Sequence, residues 1–355
     1  MKVGIVTLHG YFNYGNRLQN YALLKQLEKL NIQVDTTVVK NRSLERSYTR
    51  NLYECLKRHM PSKRSELKRY KIFKEFSENY LNEKFYNISK KSDLKYLDTY
   101  DYFITGSDQV WNPRYHNMLD VYFLTFANES KRIAYAPSIS RDSLSKEEQD
   151  LYSQYLNGMS KISIREESGS KLIRDLIQEE VPVLIDPTLM LDKNEWLKVS
   201  KPAPNNKNTV YILTYFLGGP TKEAKDLIAK LCKSSNYKVI NLGVPEEKTT
   251  YETGPSEFLD YVKKASLFLT DSFHGVAFSI IFETPFVVYE RISNEPSMYS
   301  RIDTILSMFN LQDRTNKRVD LEKIFDIDFS KVHKRIQIEK EKSDDFLKKA
   351  LNYYK

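Results

Sequence analysis

Cysteine is nearly missing from this chain: its 355 residues include two, Cys55 and Cys232, far apart in sequence. Their spacing matches no metal-ligand pattern and argues against a disulfide framework, so a reducing cytoplasm is the expected setting. An uninterrupted apolar run of about 18 residues, the minimum for a membrane-spanning helix, occurs nowhere. The opening residues, Met1-Lys2-Val3-Gly4-Ile5-Val6, read as a strand rather than as a signal peptide. Internal repeats and low-complexity tracts are also missing, which sets aside repeat arrays.

What is present points to a folded enzyme-sized protein. Hydrophobic residues make up 41% and charged residues 29%, the balance of a soluble globular chain. The length suggests two domains of ordinary size. The net charge of +8 is unevenly placed: between Lys40 and Lys74 twelve Lys/Arg face three Asp/Glu, so the remainder is close to neutral. At the end of that stretch and just beyond it, Leu67, Tyr70, Phe73, Phe76 and Tyr80 recur at helical spacing. Two readings fit it: a solvated helical pair with one core-facing stripe, or a basic face for anionic lipid or a lipid-linked pyrophosphate sugar. No nucleic-acid-binding motif accompanies the charge, so nucleic acid is not an expected partner.

The first segment reads strand–loop–helix–strand: Val3 to Thr7, a loop from His9 to Arg17, an amphipathic helix from Leu18 to Leu30, and Gln33 to Val39. A doubly wound α/β domain begins this way. A basic helical region is expected at about 40–97. Strands follow at Tyr102 to Thr105, Arg132 to Pro137 and Lys161 to Arg165, with helices at Ser145 to Leu156 and Ser170 to Gln178. Pro182 to Ile185 and Asp186-Pro187-Thr188 close this half. The polar, proline-bearing run from Lys201 to Asn208 reads as a linker. The pattern then restarts, with strands at Thr209 to Tyr215, Tyr237 to Leu242, Ser266 to Leu269 and Phe286 to Tyr289. Helices are expected at Lys222 to Cys232, Ser256 to Ala265, Arg301 to Phe309 and Ile336 to Tyr353. The expected fold class is α/β, two Rossmann-like domains facing a cleft. Residues 1–200 form the first, and residues 209–355, with terminal helices, form the second.

Ligands of open α/β sheets bind at the carboxyl ends of strands. Four loops fall there. In Thr270-Asp271-Ser272-Phe273-His274-Gly275, a strand gives way to a helix from Val276 to Phe282. Asp271 and Ser272 are good N-cap residues, and a helix start favours an anion. His274 beside it suits acid–base chemistry on a phosphate- or carboxylate-bearing substrate; a histidine satisfied by backbone is the alternative. In Asn13-Tyr14-Gly15-Asn16-Arg17, Gly15 permits positive φ, Asn13 and Asn16 flank it, and Arg17 adds charge. In Gly106-Ser107-Asp108-Gln109-Val110-Trp111, polar side chains suit sugar hydroxyls and Trp111 suits a sugar face, unless it belongs to the core. Arg165 can grip a carboxylate or phosphate bidentately, unless it pairs with Glu166 or Glu167. His9 lies in the first loop and can face the cleft, whereas His59, His116 and His333 read as surface residues.

Taken together these segments resemble the polysaccharide pyruvyl transferase family. The resemblance rests on Asn13-Tyr14-Gly15-Asn16, Phe103-Ile104-Thr105-Gly106-Ser107-Asp108, Ile162-Ser163-Ile164-Arg165-Glu166, Asp186-Pro187-Thr188-Leu189, Thr270 to Gly275, and Ser300-Arg301-Ile302. They run in the family's order and span most of the chain. The resemblance implies a GT-B-like fold and transfer of a pyruvyl group from phosphoenolpyruvate to two hydroxyls of one sugar. The product is a cyclic ketal, and phosphate leaves. It implies His274 as general acid, Arg165 on the donor, no metal and no cofactor beyond the donor substrate. It implies a glycan or lipid-linked oligosaccharide acceptor in capsule or exopolysaccharide synthesis. The expected location is cytoplasmic, with a peripheral contact at the inner leaflet. One departure stands out. Many members carry an arginine two positions before the motif histidine, and here that position is Ser272. Arg301, Arg291 and Arg17 are the cations that could replace it; otherwise the donor differs. The rival readings are a nucleotide-sugar-dependent GT-B-like glycosyltransferase, with Glu283 or Glu290 reading the ribose and Arg301 the diphosphate, and a non-catalytic glycan-binding relative.

Overall fold

The computed structural model describes residues 1–40, 64–204, 209–293 and 299–353. The chain divides into two compact units. The first comprises Met1–Arg64, Ser77–Met190 and Glu339–Lys355; the second comprises Ser65–Phe76 and Leu191–Ile338.

The first unit is built on a six-stranded sheet, β1 (Lys2–Val6), β2 (Gln33–Lys40), β3 (Glu83–Asn87), β4 (Tyr102–Thr105), β5 (Arg132–Ala134) and β6 (Lys161–Ile162). Its order is β3-β2-β1-β4-β5-β6, with every pair parallel. This is the doubly wound Rossmann order, in which the winding reverses between β1 and β4. The central strands are buried on both faces, which is why Val3, Ile5, Phe103 and Ile104 form apolar runs rather than alternating ones. The helix Tyr14–Glu28 starts at Asn13, whose side chain accepts from the Asn16 amide, and packs Leu18, Ala22, Leu23 and Leu27 inward. Capping boxes start the helices Lys146–Asn157 and Lys193–Leu197.

The second unit carries a parallel four-stranded sheet of β7 (Tyr211–Tyr215), β8 (Lys238–Asn241), β9 (Leu267–Thr270) and β10 (Phe286–Val288). Its order is β10-β9-β7-β8, so this winding reverses between β7 and β9. The helix Phe273–Phe282, whose part from Val276 reads as amphipathic in the sequence, is instead buried on every side, in keeping with its largely apolar composition. Among the described residues no helix is long and apolar enough to cross a membrane.

Three expectations change. The region at about 40–97, read as helical, contains the helix Arg64–Tyr80 but also β3, an edge strand whose short Glu-Lys-Phe-Tyr-Asn run gives little periodicity. Residues 41–63, most of the basic stretch, lie outside the described residues. The expected boundary at 200/209 falls instead at 190/191, and the C-terminal end joins the first unit. The reason is burial: in the helix Phe329–Ala350 and just past it, Leu347, Ala350 and Leu351 enter the first core, and Asn352 donates to the Tyr102 hydroxyl at 2.9 Å.

Candidate functional site

In the second unit, a single carboxylate organises the strand ends at the reversal point. Asp271 follows β9, and its side chain is fully buried. One oxygen accepts from the Leu217 amide at 2.8 Å and the other from the Gly218 amide at 2.9 Å, tying down the loop after β7. Arg291, from the loop after β10, places Nε 3.4 Å from Asp271 Oδ2 and donates from Nη2 to the Asp271 carbonyl at 3.3 Å. The loops can close this tightly because residue 218 is glycine: a Cβ there would stand 2.2 Å from the Ile292 carbonyl oxygen.

His274 lies in the first turn of the helix that follows. Ser272 caps that helix, its hydroxyl accepting from the Gly275 amide at 3.3 Å, while the Ser272 amide donates to Thr270 Oγ1 at 3.0 Å. Thr270 in turn donates to the Tyr215 carbonyl at 2.7 Å. Gly275 is needed because a Cβ would meet Thr270 Oγ1 at 2.7 Å, so only glycine lets the helix lie this close to β9. His274 is 6% exposed, with its ring edge-on to Phe273. Arg291 is thus held on Asp271, in the turn that Ser272 caps and His274 follows. Arg301 is buried in the first turn of the helix Ser300–Phe309, which packs on the His274 helix.

In the first unit, the expected residues form two clusters at the β1/β4 reversal. Gly106 follows β4 and packs against Ile5 and Thr7; Ser107 Oγ lies 2.8 Å from both the Ala136 carbonyl and Asp186 Oδ2. Arg165 donates to Asp186 Oδ2 at 2.7 Å and stands 3.6 Å from Asp108. Burial works to lower the pKa of this guanidinium, but Asp186, Asp108 and Glu166 outweigh it, and the pKa lies above its ordinary value. Arg165 therefore serves an internal charge network, and its principal partner, Asp186, is not one of the neighbours considered from sequence. Asp108, Ala136 and Ser140 adopt φ of 70°, 46° and 55°, a cluster of left-handed non-glycine residues beyond β4 and β5. Such strain gathers where a site holds its backbone in place.

The second cluster surrounds Arg17. Its side chain is 1% exposed and donates to Glu83 at 2.7 Å, to the Leu8 carbonyl at 2.6 Å, and to Asn16 and Ser77. Burial pulls its pKa down against the attraction of Glu83. Arg17 is thus bound up inside the first unit. Glu83 also accepts from Tyr11 at 3.2 Å, and His9 Nε2 stands 3.7 Å away, an ion-pair distance when the ring is protonated. Sequence reasoning missed Glu83 because it opens a strand hidden in the basic region. Asn13, Gly15 and Asn16 form the capped helix start.

Other expectations are corrected. Trp111 is fully buried, stacked on Phe123 at 4.5 Å, with Nε1 donating to the Tyr122 carbonyl; it belongs to the core and not to a sugar face. Glu283 pairs with Lys193 and His333, and Glu290 with Lys317, all at the surface. His116 is exposed as expected, and His59 lies outside the described residues. A cleft of about 720 Å³ beside β8 is lined by Lys238, Glu247 and Lys248 among others, but by none of the expected site residues.

Two doubly wound sheets with chemistry at their strand ends define a GT-B-like α/β protein. Solved structures agree on this fold. The UDP-GlcNAc 2-epimerase of Methanocaldococcus jannaschii, in complex with UDP-GlcNAc and UDP, is 15% identical over 100% of both chains, with a TM-score of 0.51. MnaA of S. aureus, in a co-structure with UDP, is 13% identical over 99% of this chain and 97% of its own, with a TM-score of 0.50. At such identities the likeness concerns the fold alone. No curated protein matches the sequence. The model of the family described as polysaccharide pyruvyl transferase matches residues 13–294. The chain belongs to the polysaccharide pyruvyl transferase family, and it is a transferase.

Proposed function

We propose that the protein transfers a pyruvyl group from phosphoenolpyruvate to two hydroxyls of one sugar in a surface glycan, forming a cyclic ketal and releasing phosphate. The observation that carries this reading is His274 in the first turn of the helix that Ser272 caps, just after Asp271 and its partner Arg291, in a chain that matches the family from residue 13 to 294. A protonated imidazole there supplies a proton to the donor's methylene carbon, which leaves C2 electrophilic. One sugar hydroxyl adds to C2 and gives up its proton. The C2–O bond to phosphate then breaks, and the second hydroxyl closes the ring with loss of its proton. Donors aimed at the leaving phosphate stabilise the charge that develops. Calorimetric titration of phosphoenolpyruvate into wild type and His274→Ala, with phosphate release followed in parallel, tests this. Binding in both with release in wild type alone supports it. Binding of a nucleotide sugar in place of phosphoenolpyruvate overturns it in favour of glycosyl transfer.

The acceptor belongs to the same proposal. A lipid-linked oligosaccharide would bring the enzyme to the inner leaflet, where the basic residues between Lys40 and Lys74 meet anionic headgroups. Charge reversal at Arg58, Lys63, Arg64 and Lys68 should then abolish liposome binding. Unchanged binding would remove the membrane contact from the scheme.

A further inference from the structure

We propose that Arg291, aimed by the buried carboxylate of Asp271, is the cation that grips the anionic end of the donor beside His274. This rests on the pyruvyl-transfer reading and adds to it a residue, a route of positioning and a ligand chemistry: a phosphate or carboxylate oxygen on a guanidinium.

The turn that leads to His274 carries no cation of its own: Thr270, Asp271, Ser272 and Phe273 are all uncharged or acidic. An anion there would meet a buried negative charge at Asp271 unless a cation stood against it. Arg291 stands there, 3.4 Å from Asp271 Oδ2 and hydrogen-bonded to the Asp271 carbonyl. Its side chain keeps 19% of its surface exposed while Asp271 keeps none, so the carboxylate is sealed and Arg291 is the accessible member of the pair. A guanidinium has five N–H groups in a fixed fork, so engaging one edge on Asp271 leaves others for a ligand.

Asp271 spends its remaining capacity on the amides of Leu217 and Gly218. The same carboxylate therefore fixes the loops after β7 and β10 around the turn after β9. Glycine at 218 lets Arg291 and Ile292 come in: a Cβ there would stand 2.2 Å from the Ile292 carbonyl oxygen and 2.7 Å from Arg291 Cγ. Three sequence-distant segments, the loops after β7 and β10 and the turn after β9, thus converge on one side chain. Asp271 is the positioning residue, and Arg291 is the one that touches the donor.

The test is titration of phosphoenolpyruvate into the full-length chain, with steady-state kinetics in parallel. Loss of a charge-assisted pair should weaken binding by about 10- to 100-fold in Arg291→Gln and Arg291→Ala. Arg291→Lys should recover part of the affinity. Arginine returned at the neighbouring position, as Ser272→Arg in the Arg291→Ala background, should recover more. Asp271→Asn should raise KM for phosphoenolpyruvate more than it lowers kcat, a split that general loss of folded protein would not produce. Wild-type affinity in both Arg291→Gln and Arg291→Ala overturns this assignment and leaves the pyruvyl-transfer reading intact. Failure of the wild type itself to bind phosphoenolpyruvate overturns both. Arg291→Gln keeps the first three carbons of the side chain and a polar end, so it answers the question if Arg291→Ala does not fold.

Discussion

The charged residues of this protein divide by what they face. Arg17 and Arg165 are as buried as any leucine, and each is matched to carboxylates inside its own unit. Removing one partner leaves an uncompensated buried charge, which costs about 3–5 kcal/mol. Glu83→Gln should therefore lower the unfolding free energy obtained from denaturant titration at neutral pH by that amount. The same variant tests the pH dependence. Burial works to raise the pKa of Glu83, but His9, Arg17 and Tyr11 prevail, and the folded value lies below the ordinary 4.5. A depressed carboxylate contributes stability that is present above its unfolded pKa and lost as pH falls through its folded one. Wild-type stability should thus fall below about pH 4.5 more steeply than that of Glu83→Gln, as acid titrations followed by circular dichroism would show. For the same reason Arg165→Ala is a poor probe of donor binding: it should unfold the protein before it reports on a ligand. His274→Gln should instead keep the melting temperature near that of wild type while phosphate release falls by about 100-fold or more. The motif around His274 was legible in the sequence because a strand, a cap and a helix follow one another without interruption. The partners of Arg17 and Arg165 were not, since Glu83 and Asp186 stand 66 and 21 residues away and no local pattern links them.

At the scale of elements, glycine decides how closely helix and strand can approach. Gly275→Ala should push the helix Phe273–Phe282 off β9, because its Cβ would fall 2.7 Å from Thr270 Oγ1. Overpacking of this kind costs about 1–3 kcal/mol, readable as a lowered melting temperature. Gly218→Ala should act differently, displacing residues 291 and 292 and weakening phosphoenolpyruvate binding more than stability. Most elements could be read from periodicity: Tyr102–Thr105 falls where expected, and Gln33–Lys40 and Lys222–Ser234 differ at one end only. Elements whose signals are non-local could not. β3 is short, on the sheet edge and set among basic residues, and its identity as a strand comes from pairing with β2. Pro182 to Ile185 contributes to the sheet only through an isolated bridge, Ile164 to Val183. Apolar character announces burial there, not a ladder.

At the scale of the whole molecule, the restart of the α/β pattern after residue 208 revealed two sheets, but not which residues complete each one. The first unit is finished by Glu339–Lys355, which sequence order assigns to the second. Nothing local marks that assignment, because an amphipathic helix carries no address for the core it will enter. Deleting residues 339–355 should accordingly increase hydrogen exchange in β1 to β6 far more than in β7 to β10. Equal protection of the first sheet in the truncated chain would count against the membership of residues 339–355 in the first unit.

That closing segment has a consequence for how the protein is made. Domains of a growing chain commonly fold in the order of their synthesis. Here the sheet translated first stays unfinished until the ribosome has passed every strand of the second. Chimeras between relatives would therefore have to take residues 339–355 from the same parent as the amino-terminal half.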